Sequence, residues 1–205
     1  MKTRLSLLLK PGVQALAGAL LLAVLATPPM RGLLESSMWR HMVLQFPLWM
    51  LAGALLATAL PARARASLAR WNALGISGLL WVALVLAVLM VPRVLDLALR
   101  APVVEVLKCS ALMLAGAALR LSWQPAGRVV QGFFLGNVLP MMVVVGQLYV
   151  DSPLRLCNAY LLDDQERLGR WLIALAALLA VAWIARVFWA LARREAVATA
   201  QCPHP

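Results

Sequence analysis

The sequence predicts an all-α fold: a polytopic membrane helix bundle of about six transmembrane helices with both termini cytoplasmic. Three observations predict it. Apolar residues make up 63% of the 205 residues and charged ones 13%, with a mean hydropathy of +0.86, a composition no polar-surfaced soluble domain has. Charge is absent from residues 12–27, 42–60, 71–92 and 129–150, and about 20 helical residues suffice to cross the hydrocarbon core. Finally, the charges are lopsided. Lys2, Arg4, Lys10, Arg63, Arg65, Arg70, Arg120, Arg128, Arg186, Arg193 and Arg194 share one side with a single acid, Glu195. The other side holds the remaining eight basic residues together with Glu35, Asp96, Glu105, Asp151, Asp163, Asp164 and Glu166. The positive-inside rule makes the basic side cytoplasmic. The net charge of +11 is then a topology signal with some attraction to anionic lipid heads, and not a nucleic-acid footprint.

The expected spans are about 12–28, 42–60, 71–91, 102–123, 129–150 and 171–192, in one domain over residues 1–205. The first has Pro11 at its start, and Val24-Leu25-Ala26 at its end would pass as a signal-peptide cleavage site. A retained helix is the expectation. The second opens at Glu35-Ser-Ser-Met-Trp-Arg-His-Met42, where Ser36 or Ser37 caps it and Trp39 and Arg40 anchor it at the headgroups. In the fourth, Glu105 and Lys108 are spaced to neutralise each other near the outer interface. The fifth carries Gly132 and Gly136 at GxxxG spacing, Asn137 near the membrane centre, and Pro140, which predicts a kink. Asp163, Asp164 and Glu166 read as caps ahead of the sixth, in which Arg186 snorkels.

Chemistry is suggested by sidedness. All methionines after the first (Met30, Met38, Met42, Met50, Met90, Met113, Met141 and Met142) fall at or beyond the midplane on the outer side, with His41, Cys109 and Cys157. Thioether, thiolate and imidazole are the ligands of Cu(I). The candidate metal ligands are Met38, His41, Met42, Met90, Cys109 and Cys157, and the cofactor would be copper as Cu(I). If the second helix starts regularly, Glu35, Met38, His41, Met42 and Gln45 share one of its faces. The plainer alternatives are an interfacial helix start, core cysteines, and methionines that fill gaps. Cys157 on the outer side cannot meet Cys202 in the cytoplasmic tail, so no disulfide framework is expected. The tail Cys202-Pro203-His204-Pro205 could pick up metal, though disorder is the expectation for a terminal, proline-rich tetrapeptide.

Several of these positions resemble the CtaG-type cytochrome c oxidase assembly factors. The likeness rests on Met38–Met42 at a helix start, Pro92 with Asp96-Leu-Ala after the third span, and an Ala-Gly-rich helix from Glu105 to Trp123. It continues in Pro153-Leu154, Tyr160, Asp164-Gln165 and Gly169 before the last span. It covers roughly residues 38–175. Where that family has histidines, this chain has Met90, Val91, Val104, Val106 and Lys108, so Met90 and Cys109 would have to substitute as soft ligands. The resemblance implies a non-enzymatic copper-handling or oxidase-assembly factor at the periplasmic face of a bacterial inner membrane, with a respiratory oxidase as partner. The alternative is an accessory subunit packing against a larger membrane complex through Gly132 and Gly136. A transporter is weaker, since only Asn137 is polar near the midplane, and an enzyme weaker still, for want of a recurring nucleophile–base pairing.

Overall fold

A computed structural model describes residues 10–201, with side chains to residue 193. Every regular element among them is helical: α1 (Pro11–Leu25), α2 (Pro28–Glu35), a π-helical segment (Arg40–Gln45), α3 (Phe46–Leu56), a short 3-10 turn (Ala57–Ala59), α4 (Ala62–Trp71), α5 (Ile76–Leu89), α6 (Pro92–Arg100), α7 (Pro102–Trp123), α8 (Gly127–Asp151) and α9 (Leu162–Gln201). Proline opens α1, α2, α6 and α7, where its missing N–H costs nothing and its fixed φ suits the first turn.

The multi-pass membrane reading is met by four helices that are long and apolar enough to cross: Arg40–Ala59, Pro102–Trp123, Gly127–Asp151 and Leu162–Arg193. The other two expected spans differ from expectation. Helix α1 ends at Leu25 and α2 departs from it at 75°. The chain over 71–91 is broken after Trp71, with α4 and α5 at 83°. The break has a local cause. Asn72 lies outside helical geometry and Gly75 at φ +68° occupies the left-handed region that glycine enters without steric cost. At 14 and 15 residues, α5 and α1 are about 21–23 Å long, short of a 30 Å hydrocarbon core without their bent partners. The last helix is longer than expected and starts nine residues earlier, so Asp163, Asp164 and Glu166 lie inside its first turns.

Helix α7 is the centre of the bundle, with α3 on one side and α5 on another; α1 packs on α3, and α8 pairs with α9. The α3–α7 crossing is set by two reciprocal glycines. A methyl on Gly53 would collide with the backbone of Met113, and one on Gly116 with the backbone of Met50. Bare Cα surfaces let the two backbones touch, which maximises dispersion contact where lipid offers no hydrophobic drive. Gly146 and Gly169 do the same between α8 and α9. The expected GxxxG pair behaves differently. Gly132 faces the Trp183 ring of α9, whereas Gly136 has open space over its Cα.

Candidate functional site around His41

Pro47 lacks the N–H that would close a regular turn, and the helix ahead of it widens into the π segment Arg40–Gln45. Wide turns of this kind shift side-chain register and recur at functional sites. Here the shift turns Met38, His41, Met42 and Gln45 inward; His41, Gln45 and Met38 are completely buried. Met38, His41, Met42 and Gln45 thus point inward together, but the helix does not start regularly and Glu35 ends the separate helix α2. The polar members meet protein groups rather than a cavity.

The helix start is held from a distance. Ser36 bonds back to Leu33, while Ser37 Oγ donates to Asp164 Oδ1 at 2.7 Å and the Met38 amide donates to Asp164 Oδ2. Asp164, expected to cap its own helix, caps another one. It satisfies a free amide of the second span and complements that helix's positive end.

Around His41 the polar groups close a ring. Tyr160 donates its hydroxyl to the Glu35 carbonyl at 2.9 Å, which leaves its oxygen to accept from His41 Nδ1 at 2.8 Å. His41 is then the neutral Nδ1–H tautomer, and its bare Nε2 accepts from Lys108 Nζ at 2.6 Å. Lys108 also donates to Gln45 Oε1 at 3.0 Å and stands 2.7 Å from Glu105 Oε2. Gln45 Nε2 returns to Glu35 Oε1 at 3.1 Å. Arg31 bridges the two acids, 3.6 Å from Glu35 and 3.8 Å from Glu105. Two cations and two carboxylates cancel, and Lys108 donates to His41 and Gln45 while pairing with Glu105, although Glu105 Oε2 and Arg31 Nε are buried without an aligned hydrogen bond. Such charge compensation is what makes a buried ammonium tolerable at membrane depth.

A second knot ties down the loop between α8 and α9. Asp96, on α6, accepts from Cys157 Sγ at 2.9 Å, from the Asn158 amide at 3.0 Å and from the Ala159 amide at 3.1 Å. Burial would raise its pKa, but these three donors and the Arg100 charge outweigh burial and hold the carboxyl below its ordinary value. The Cys157 thiol moves the opposite way, pushed up to about 12 by burial and by its bond to the Asp96 carboxylate. Gln165 completes the knot, accepting from the Leu156 amide and donating to the Tyr149 and Leu154 carbonyls, and the Tyr149 hydroxyl donates to the Met90 carbonyl.

Against this geometry the copper-ligand set can be placed residue by residue. Met38, Met42, Met90 and Cys157 are all part of one large buried core, and Cys109 packs against it. Both nitrogens of His41 are committed, to Tyr160 and to Lys108. Cys109 donates to Glu105 Oε1 at 3.3 Å, and Cys157 is held by Asp96. No group of three or more His, Cys, Asp or Glu suited to a metal ion occurs among the described residues. The donors present thus do not fit a copper ion centred on His41, because each strong one is already spent on a protein partner. Cys202 and His204 lie outside the described residues.

The residues the metal hypothesis passed over are Lys108, Tyr160, Asp96, Asp164 and Gln165. Each was visible as a polar residue in or beside an apolar span, and all five lie in the segments carrying the CtaG-type resemblance. A cavity of about 380 Å³ opens beside Tyr160 and Asp164, walled by Trp39, Arg40 and Arg167, with Trp39 stacked on Trp171 at 6.2 Å. Compared with family models, with curated proteins and with solved structures, the chain matches none.

Proposed function

We propose that this chain is a non-enzymatic assembly or accessory factor of a bacterial inner membrane that docks one transmembrane helix of a larger complex on α8. The observation that carries this reading is Asn137. It is exposed on the bundle surface beside the open Gly136, ten residues into α8 and hence about 15 Å from its start, deep in the hydrocarbon. Its Nδ2 bonds only to the Phe133 carbonyl one turn back, at 2.7 Å, so the amide oxygen meets lipid in the isolated chain. A lipid-facing amide at this depth is costly, and a partner helix lying over Gly136 would both cover it and bond to it. Val129, Phe133, Pro140, Val144 and Gln147 continue the exposed stripe along the same helix, long enough for one crossing helix.

The resemblance to CtaG-type factors suggests a respiratory oxidase as the client. Tagged wild-type protein is expected to retain its client through mild detergent extraction, whereas Gly136→Leu and Asn137→Leu lose it at unchanged folded yield. Full retention by Gly136→Leu would reject the docking face. The copper-handling version is tested separately, by anaerobic Cu(I) titration of the purified protein against a competing chelator. Stoichiometric binding lost in Met38→Ala and Met42→Ala would support it, and binding no tighter than background would leave the methionines as packing.

A further inference from the structure

The basic end of the bundle holds a cavity of about 310 Å³ that the docking reading does not use. Three parts of the chain form it: the start of α1 with Pro11 and Gln14, the turn after α3 with Thr58, and the end of α7 with Arg120 and Gln124; Arg65 of α4 closes one side. Among the described residues its polar lining consists of arginines, amides and a hydroxyl, without a carboxylate. Arg120 Nη2 donates to Gln14 Oε1 at 2.9 Å, which fixes that guanidinium in the wall with other N–H groups left to donate. The Arg65 guanidinium has no partner among the described residues, and neither arginine pairs with an acid there. Two cationic forks therefore face one recess at the interface, next to helix α4, which carries Arg63 and Arg70 as well and buries no residue.

We propose that this recess binds the phosphodiester headgroup of an anionic phospholipid in the adjoining leaflet. Arginine forks match phosphate oxygens, and basic recesses between helices at the cytoplasmic side are where anionic headgroups bind. The missing carboxylate decides the lipid class. A choline or ethanolamine headgroup carries an ammonium that this wall would repel, whereas phosphatidylglycerol offers phosphate alone. Helix α4, lying across the end of the bundle at 83° to α5, places Arg65 at headgroup level.

Native mass spectrometry of the full chain, titrated with phosphatidylglycerol, phosphatidylcholine or inorganic phosphate, tests this. Phosphatidylglycerol is expected to bind above phosphatidylcholine, and Arg65→Gln/Arg120→Gln to weaken it roughly thirtyfold, as two interfacial cationic contacts imply. Arg63→Gln/Arg70→Gln, the same charge loss outside the recess, should leave it unchanged. Arg65→Gln alone, which breaks no internal bond, guards against a folding defect of the double variant and should still weaken binding several-fold. Equal losses in both double variants would reduce the effect to diffuse charge and overturn the site. So would undiminished binding in Arg65→Gln. Phosphate adducts without lipid adducts would assign the recess to a soluble anion and likewise overturn the lipid proposal.

Discussion

Lys108 Nζ lies 2.6 Å from His41 Nε2, a cation donating to an imidazole inside a membrane bundle. That contact sets the whole ring. It forces the imidazole proton onto Nδ1, hence toward Tyr160, whose own proton must go to the Glu35 carbonyl. The second and fourth spans, helix α2 and the loop ahead of α9 are thereby locked in one mutual register.

The first prediction concerns the buried charges. Lys108→Met leaves Glu105, 4% exposed, with Arg31 at 3.8 Å as its one remaining cation beside the weak Cys109 donor, and should cost about 3–5 kcal/mol, the penalty for an uncompensated buried ion. Adding Glu105→Gln removes that charge and should recover part of the loss. Thermal unfolding of the three variants in detergent, followed by circular dichroism, measures both effects. A Lys108→Met midpoint equal to the wild type would contradict the ring.

Tyr160→Phe removes one hydroxyl that serves two partners, and leaves His41 Nδ1–H unpaired in a buried site. The expected cost is about 1–3 kcal/mol. Nitrogen NMR of labelled His41 should report the Nδ1–H tautomer in the wild type; an Nε2–H tautomer would refute the proton assignment.

Acid and thiol chemistry at the Asp96 knot have a defined sign. Asp96 has a depressed folded-state pKa, so its contribution is complete above the ordinary carboxylate range, about pH 4. It is lost as pH falls through the folded value. Proteolysis of the loop between α8 and α9 should therefore accelerate only at strongly acidic pH, and Asp96→Asn should show fast cleavage at neutrality. Cys157, raised to about 12, stays protonated and should resist alkylation at pH 8. Asp96→Asn lowers that barrier, so labelling at that pH should speed up severalfold.

Substitution at the α3–α7 crossing should be severe. Gly116→Ala places a methyl against the Met50 backbone, which no rotamer change relieves. We expect a loss of at least about 1–3 kcal/mol from forced separation of the helices. Gly136→Ala, with open space over it, should be neutral to folding in the isolated protein. Monodisperse yield and thermal midpoint distinguish the two.

The charge-free runs 42–60 and 129–150 were enough to locate two of the four straight spans, because roughly 20 uncharged residues satisfy a bilayer whatever their neighbours are, while 102–123 and the last span carry charges near their ends. They could not foresee the breaks at Ala26 and Asn72, where apolar composition continues through a turn. The methionine sidedness was legible too, but sidedness says nothing about what a side chain touches. His41 stood out as a soft ligand in the sequence; its two nitrogens turned out to be taken by residues 67 and 119 positions away.

What the sequence determined by itself was the solvent: composition requires a helical membrane bundle, since burial in lipid depends on single segments. What only the tertiary structure decided was the partnership of its polar groups. Asp164 with Ser37, Asp96 with Cys157 and Lys108 with His41 are pairings between distant segments. Each forms because packing brings the two groups within 3 Å in a medium where neither could remain unpaired.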